Sequence, residues 1–257
     1  MICKICGFGT QKIFSEIILN KYKVSCFFCG NCHFLQTEEP YWLEEAYQCP
    51  INVFDTGVLA RNISLSKTFS AIIIRFFNRT GQFVDYAGGY GIFVRLMRDY
   101  GFDFYWIDPY AQNLFARFFE YHNSVEKIEL VTAIECFEHF KTPLSDIEKV
   151  FSIAKNILFT TDLLPYPIPS PHKWWYYGFE HGQHLSFYSK KTLLYLAMKY
   201  GKNLCSFSNI HLLTEKNINQ YSFESVINYR KYLAYFNKYL MKSKTVDDMD
   251  YVVKNSK

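Results

Sequence analysis

Apolar positions along the chain fall into short runs that end in acids or glycines, and these runs predict the elements. Residues 82–93, QFVDYAGGYGIF, open with an apolar run, pass Asp85, cross Gly88, Gly89 and Gly91, and continue into a helical pattern through Ile92, Leu96 and Met97. That order predicts a strand, a tight turn and a helix, in which backbone without side chains lies against a nucleotide. A second run, Phe104-Tyr105-Trp106-Ile107, ends in Asp108, 17 residues beyond Gly91. A third leads from Glu129 through Leu130-Val131-Thr132-Ala133-Ile134 into Glu135 and then Glu138-His139, and a fourth over 157–161 emerges into Asp162-Leu163-Leu164-Pro165. Such a series predicts a doubly wound α/β sheet from about residue 80 to about residue 165. Upstream, 63–77 predicts a helix with one apolar face, and 37–45 a turn into a helix with Pro40 near its start. Downstream, 224–244 predicts a lysine-rich helix.

Composition narrows the setting. A chain of 257 residues buries one sizeable core plus a small appendage. No apolar run reaches membrane-spanning length, 71–77 being broken by Arg75, and Met1-Ile2-Cys3-Lys4 is not a secretory signal, so the expected location is cytoplasmic. The net charge of +4 is scattered, which argues against a nucleic-acid partner. Aromatic residues make up 19% of the chain, enough that many tyrosines must occupy surfaces or a pocket.

The spelling of the glycine turn selects its ligand. Gly89-Tyr90-Gly91 is followed by Ile92, Phe93 and Val94, so the third glycine of a dinucleotide fingerprint is missing, and no G-K-[ST] follows. Asp85 would repel a pyrophosphate but suits a positively charged ligand such as S-adenosylmethionine (SAM), with its sulfonium and amino groups. Asp108 at the end of the second strand is placed either to bond ribose hydroxyls or to cap a helix before Pro109.

Asp85-Tyr86-Ala87-Gly88-Gly89-Tyr90-Gly91 resembles the first motif of class I SAM-dependent methyltransferases, D/E-x-G-x-G-x-G, with Ala87 where the first glycine stands. Residues 129–140 are similar to the D-x-V-x-x-x-x-V-x-E-H stretch that ends the fourth strand in many small-molecule members. The resemblance implies a Rossmann-like doubly wound fold with SAM held by Asp85, Ala87, Gly89, Gly91, Asp108 and Glu135. It also implies adenine contacts near 118–121 and Thr56 and Arg61 as contacts for the cofactor's carboxylate.

Cys3-Lys4-Ile5-Cys6 and Cys29-Gly30-Asn31-Cys32 are two C-x-x-C pairs separated by 22 residues, the pattern of a closed, structural four-thiolate zinc site. Cys26 forms a competing pair with Cys29, but Gly30-Asn31 makes the better knuckle. Cys49, Cys136 and Cys205 are scattered and read as buried small hydrophobes. The predicted organisation is a zinc-knuckle module over 1–40, a helical lead-in over 41–78, a SAM-binding core over 79–215 with an acceptor loop at 163–190, and a helical extension over 216–257.

The acceptor loop leaves the carboxyl end of the strand predicted over 157–161 through Pro165, Pro167, Pro169 and Pro171, and carries Trp174-Trp175-Tyr176-Tyr177 and Glu180-His181-Gly182-Gln183-His184. Trp174, Trp175 and Tyr177 would either stack on a sugar ring or form a hydrophobic lid. The zinc module, the core and the run His184-Leu185-Ser186-Phe187-Tyr188-Ser189 together resemble bacterial deoxysugar C-methyltransferases, whose comparable loop carries a Glu-His pair implicated in proton abstraction. Here Gln183 replaces the acid and the large additional C-terminal domain is absent, so the resemblance implies O-methylation of a sugar-type acceptor ahead of C-methylation of a keto sugar. His184 is the expected base, with His181 and His139 as alternatives. A zinc-bearing RNA methyltransferase and a catalytically silent cofactor-binding protein are the other readings.

Overall fold

The computed structural model of the protein describes residues 1–48, 55–122 and 127–256, so Cys49 lies outside the described residues. The chain begins with β1 (Gln11–Ile18), β2 (Tyr22–Phe28) and β3 (Leu35–Thr37), an antiparallel meander. The lead-in is a single turn, α1 (Leu43–Ala46), and then α2 (Val58–Phe76). This second helix starts earlier than the apolar periodicity predicts. Its first turn, Val58-Leu59-Ala60-Arg61, is largely exposed and so carries no one-sided apolar pattern, and the Asn62 side chain donates to the Val58 carbonyl at 2.7 Å.

β4 (Gln82–Tyr86), α3 (Ile92–Asp99), β5 (Asp103–Ile107), β6 (Ile128–Ala133), α4 (Pro143–Ile153) and β7 (Ile157–Thr160) follow. The loop then contributes β8 (Ser186–Phe187) and is followed by α5 (Lys190–Lys199), β9 (Asn203–Phe207) and β10 (Ile210–Thr214). The main sheet has the order β5-β4-β6-β7-β10-β9. Its first four strands are parallel, and β10 runs antiparallel to both neighbours. Strand order reverses between β4 and β6, the point at which open α/β sheets leave a crevice at their carboxyl ends.

The parallel strands are apolar on both faces, as strands covered on both sides must be. Successive residues alternate between two cores. Phe83, Leu130, Leu158 and Leu212 pack with Phe69, Ile72 and Ile73 of α2 and with Val94 and Met97 of α3. Val84, Val131, Phe159 and Leu213 pack with Ile147 of α4 and Leu193 and Leu196 of α5. Cys3, Ile5, Cys29, Cys32 and Phe34 belong to this second core, so the cysteine-bearing segment is packed into the same interior as the main sheet.

The loop over 163–190 ties the two sheets together. β8 pairs antiparallel with β3 and completes the small sheet β1-β2-β3-β8. Trp42 donates from its indole to the Gly182 carbonyl at 2.8 Å, and the Gln183 amide donates to the Ala46 carbonyl at 2.8 Å. Gln183 therefore has a structural task.

The expected single helix over 224–244 is instead α6 (Gln220–Asn228) and α7 (Arg230–Leu240), and α8 (Thr245–Asn255) follows. Helix α7 ends because Met241 is extended, and the chain there passes over Gly101, whose missing side chain leaves the room: a Cβ would meet the Lys242 carbonyl oxygen at 2.5 Å. Buried Arg98 then anchors α8 through Asp248, at 2.7 and 2.8 Å. Among the described residues no helix is long and apolar enough to cross a membrane.

Candidate functional site

The glycine turn sits at the carboxyl end of β4. Ala87, Gly89 and Gly91 all have positive φ, at 57°, 52° and 84°. Such angles are natural for glycine and strained for Ala87. Gly91 lies against the next segment, where a Cβ would meet Asn113 Oδ1 at 2.6 Å. At Gly88 an added Cβ would meet the Trp106 ring at 2.7 Å and Asp85 Oδ2 at 3.0 Å. The turn is thus a backbone surface with no room for side chains on its inner side.

Asp108 holds this turn in place. Its Oδ2 accepts from the Gly89 N–H at 2.9 Å, and its Oδ1 accepts from the N–H groups of Tyr110 and Ala111 at 2.8 and 3.0 Å. The capping role is therefore present, realised in a turn, and the same carboxylate adjoins the glycines. Asp85 lies beneath the turn, 2% exposed, with Oδ1 accepting from the Thr132 hydroxyl at 2.6 Å. Burial pushes its pKa up to about 7.

Glu135 follows the end of β6 with φ at 47°. Thr160 Oγ1 accepts from the Glu135 N–H at 2.9 Å and donates to its Oε1 at 2.6 Å, which fixes the acid over the ends of β6 and β7. Arg61 is engaged by Asp55 at 3.0 Å, and Thr56 is exposed. The segment 118–121 forms an isolated parallel bridge, Trp106 with Glu120, beside β5. Asp85, Ala87, Gly89, Gly91, Asp108 and Glu135 thus all lie at the carboxyl ends of β4, β5 and β6, flanking the switch point.

The three histidines singled out in the sequence form a row. The His184 ring lies 4.9 Å from that of His139 and 4.7 Å from that of His181. His184 Nδ1 donates to the Tyr176 carbonyl at 2.7 Å, leaving Nε2 with the lone pair. Tyr47 meets His139 Nδ1 at 3.0 Å, and His181 Nδ1 accepts from the Gln183 N–H at 3.1 Å. Burial lowers all three pKa values, His139 to about 4 and His184 well below the usual range, with neighbouring imidazoles adding to both shifts. The row is neutral at pH 7.

Of the aromatics on the loop, Tyr166 and Trp175 project, each at 75% exposure. Tyr177 is buried and donates to the Pro169 carbonyl at 2.7 Å, and Trp174 packs on Tyr176, Tyr177 and Phe187. Tyr177 is therefore a packing residue and no stacking platform.

Two residues near the row were given no catalytic role on sequence grounds, although Glu138 stands in the acid-His motif. Glu138, on a short 3-10 turn (Phe137–His139), is fully buried beside Tyr176, and Tyr47 reaches in from the lead-in. The acid-x-x-acid-His spacing of Glu135, Glu138 and His139 was the available signal, since a tight turn after a strand gathers such residues at one place.

The four paired cysteines converge. The sulfurs of Cys3 and Cys32 are 3.5 Å apart, those of Cys6 and Cys29 3.4 Å apart, and all four lie within 4.8 Å of one another. That spacing fits four sulfurs at about 2.3 Å around one ion. The Cys32 contact lowers the pKa of Cys3 to about 5. Cys26 sits away from them in β2, in the core formed with Leu35, Trp42 and Tyr177, where burial raises its pKa to about 12.

A family model described as a methyltransferase domain matches residues 61–206. Among solved structures, the chain is similar to TnmH (TM-score 0.43, 13% identity, covering 68% of this chain and 60% of that one). It is also similar to an O-methyltransferase family protein from Burkholderia thailandensis (TM-score 0.42, 14% identity, 70% and 65% covered). A third is the mitomycin 7-O-methyltransferase MmcR (TM-score 0.40, 13% identity, 67% and 59% covered). The chain thus spans less than two thirds of the length of each of these proteins. No curated protein matches by sequence.

Proposed function

Because the chain belongs to the methyltransferase-domain family, we propose that it is a SAM-dependent enzyme that methylates a hydroxyl oxygen of a small, sugar-type acceptor. The observation that carries this reading is the left-handed turn of Ala87, Gly89 and Gly91 clamped to Asp108 Oδ2 at the sheet's switch point. When bound there, SAM supplies a methyl carbon made electrophilic by a positively charged sulfur. Asp85, Asp108 and Glu135 line that position, and Gly88 and Gly91 let the turn pack against Trp106, Asp85 and Asn113, where a Cβ would clash. Asp108 is the ribose ligand in this reading.

On the acceptor side, the lone pair on His184 Nε2 is the group oriented to take the hydroxyl proton, and Trp175 offers an exposed face to a sugar ring. Positioning alone contributes up to about 7–11 kcal/mol to such a displacement. A general base near its working pKa adds about 10²–10⁴ in rate, but His184, with its depressed pKa, supplies only part of that. The quartet Cys3, Cys6, Cys29 and Cys32 is read as a structural Zn²⁺ site that fixes the N-terminal sheet against the core.

Calorimetric titration with SAM tests the reading. One site per chain is expected, with affinity reduced in Asp108→Asn, and release of S-adenosylhomocysteine with a panel of sugar nucleotides. Absence of heat on titration would overturn it.

A further inference from the structure

Beside the proposed acceptor position lies a group that the reading above leaves unused. Glu138 is fully buried, and neither carboxylate oxygen has a hydrogen-bond partner among the described residues. The hydroxyls of Tyr176 and Thr161, bonded to each other at 3.1 Å, lie near enough only to offset part of the cost of its burial. A buried carboxylate is ordinarily paired, hydrogen-bonded or bound to a cation. Leaving it alone costs several kcal/mol per ion.

The ionisable groups nearest Glu138 are the Glu135 carboxylate, which repels it, and two imidazoles. One donor atom each from Glu138, His139 and His184 lie within 4.8 Å of one another. Glu138 and His139 are consecutive on the 3-10 turn, and the loop bearing His184 is bonded to that turn at two points. The Leu185 N–H donates to the Glu138 carbonyl at 2.8 Å, and the Ser186 hydroxyl to the Phe140 carbonyl at 2.7 Å. The Tyr176 carbonyl holds His184 in the tautomer that leaves Nε2 free, the outer-sphere arrangement that metal-ligating histidines use.

We propose that Glu138, His139 and His184 bind one divalent transition-metal ion, distinct from the four-cysteine site, with coordination positions left open. Two imidazoles and one carboxylate suit ions such as Mn²⁺ or Zn²⁺ in an open site, whereas four thiolates make a closed one. The negative carboxylate and two neutral nitrogens leave a bound ion with net positive charge. With such an ion bound, His184 Nε2 is a ligand and no longer the proton acceptor assigned to it above; an acceptor hydroxyl oxygen in an open position would have its pKa lowered and would give its proton to solvent. With two open positions the preferred acceptors carry two adjacent oxygens, such as a vicinal diol. This role in methyl transfer rests on the proposed function, but the ion site itself does not.

The test uses the full chain, loaded with zinc at the cysteines, titrated with Mn²⁺ in the absence of SAM and followed by electron paramagnetic resonance. One Mn²⁺ per chain is expected, with echo modulation from imidazole nitrogen. Removing a ligand should weaken binding at least as much as removing an outer-sphere partner does, about 10–100-fold, in both Glu138→Gln and His184→Gln. Cooperative thermal unfolding and SAM calorimetry on each variant verify that it is folded. The proposal is overturned if the wild-type chain takes up no stoichiometric Mn²⁺, if the bound ion shows no nitrogen modulation, or if both folded variants bind like wild type. The wild-type nitrogen signal decides the matter even where a variant does not fold. Mn²⁺ binding without SAM binding would sink the proposed function and leave this inference standing; the reverse result would do the opposite.

Discussion

One methyl group, added or removed within the glycine turn, should change stability with opposite sign at positions four residues apart. In Gly91→Ala the new Cβ meets Asn113 Oδ1 at 2.6 Å and the Ala116 nitrogen at 3.1 Å, and the residue must hold φ at 84°. The left-handed conformation costs about 1–2 kcal/mol for an alanine, and overpacking costs about 1–3 kcal/mol more. Relaxation is limited because Asn113 Oδ1 already accepts from the Ala116 N–H at 2.9 Å. A loss of roughly 2–5 kcal/mol corresponds to a fall in Tm of roughly 4–20 °C for a chain of this size. Ala87→Gly removes the same left-handed strain and loses about 0.4–1 kcal/mol to a freer unfolded chain, so it should leave Tm unchanged or raise it slightly. Thermal unfolding by circular dichroism measures both, and SAM calorimetry should show weaker binding only for Gly91→Ala. A Gly91→Ala chain melting within about a degree of wild type would refute the argument that backbone space at this turn is fully used.

Two further outcomes follow from buried groups. His211 is buried between the Ser206 hydroxyl at 2.9 Å and the Thr161 carbonyl at 3.0 Å, and burial lowers its pKa to about 4. The unfolded chain binds the extra proton between about pH 6.5 and 4, so this residue's contribution of up to roughly 3 kcal/mol is complete above that window and is lost as pH falls through it; in urea unfolding series, His211→Gln should flatten the acid slope. Stripping the cysteine quartet with a strong chelator should release one zinc per chain by mass spectrometry and lower Tm, because the sulfurs share a core with Val131 and Phe159; no zinc in a protein purified without chelators would argue against the site.

The runs ending at Asp85, Asp108 and Glu135 became β4, β5 and β6 because each is short, apolar on both faces and closed by a breaker, so local pattern and tertiary role agree. The cysteine pairs were legible from their spacing and from the glycines at Gly7 and Gly30, whereas the same spacing from Cys26 to Cys29 follows strand β2 to its end at Phe28. The histidines were visible as residue types, but their row was not, since His139 follows a strand and His181 and His184 ride on a loop. The burial of Tyr177 and the task of Gln183 were hidden as well, because a tyrosine or glutamine has no periodicity that distinguishes packing from recognition. The lysine-rich segment over 224–244 reads as one helix, whereas the chain breaks after Asn228 and again at Met241, where it passes over Gly101.

The amino-acid order by itself determined the strand, turn and helix around Gly88 to Gly91, the acids at the strand ends and the two knuckles, all set by contacts within a few residues. Tertiary structure decided what lay across long separations: the pairing of β8 with β3, the antiparallel placement of β9 and β10, and the meeting of Glu138, His139 and His184. The physical reason is that burial, and with it pKa and the demand for a partner, depends on which distant segments exclude water. The acid-x-x-acid-His spacing marks Glu138 in the chain, but its burial and its meeting with His184 arise only when the loop carrying that histidine closes over it.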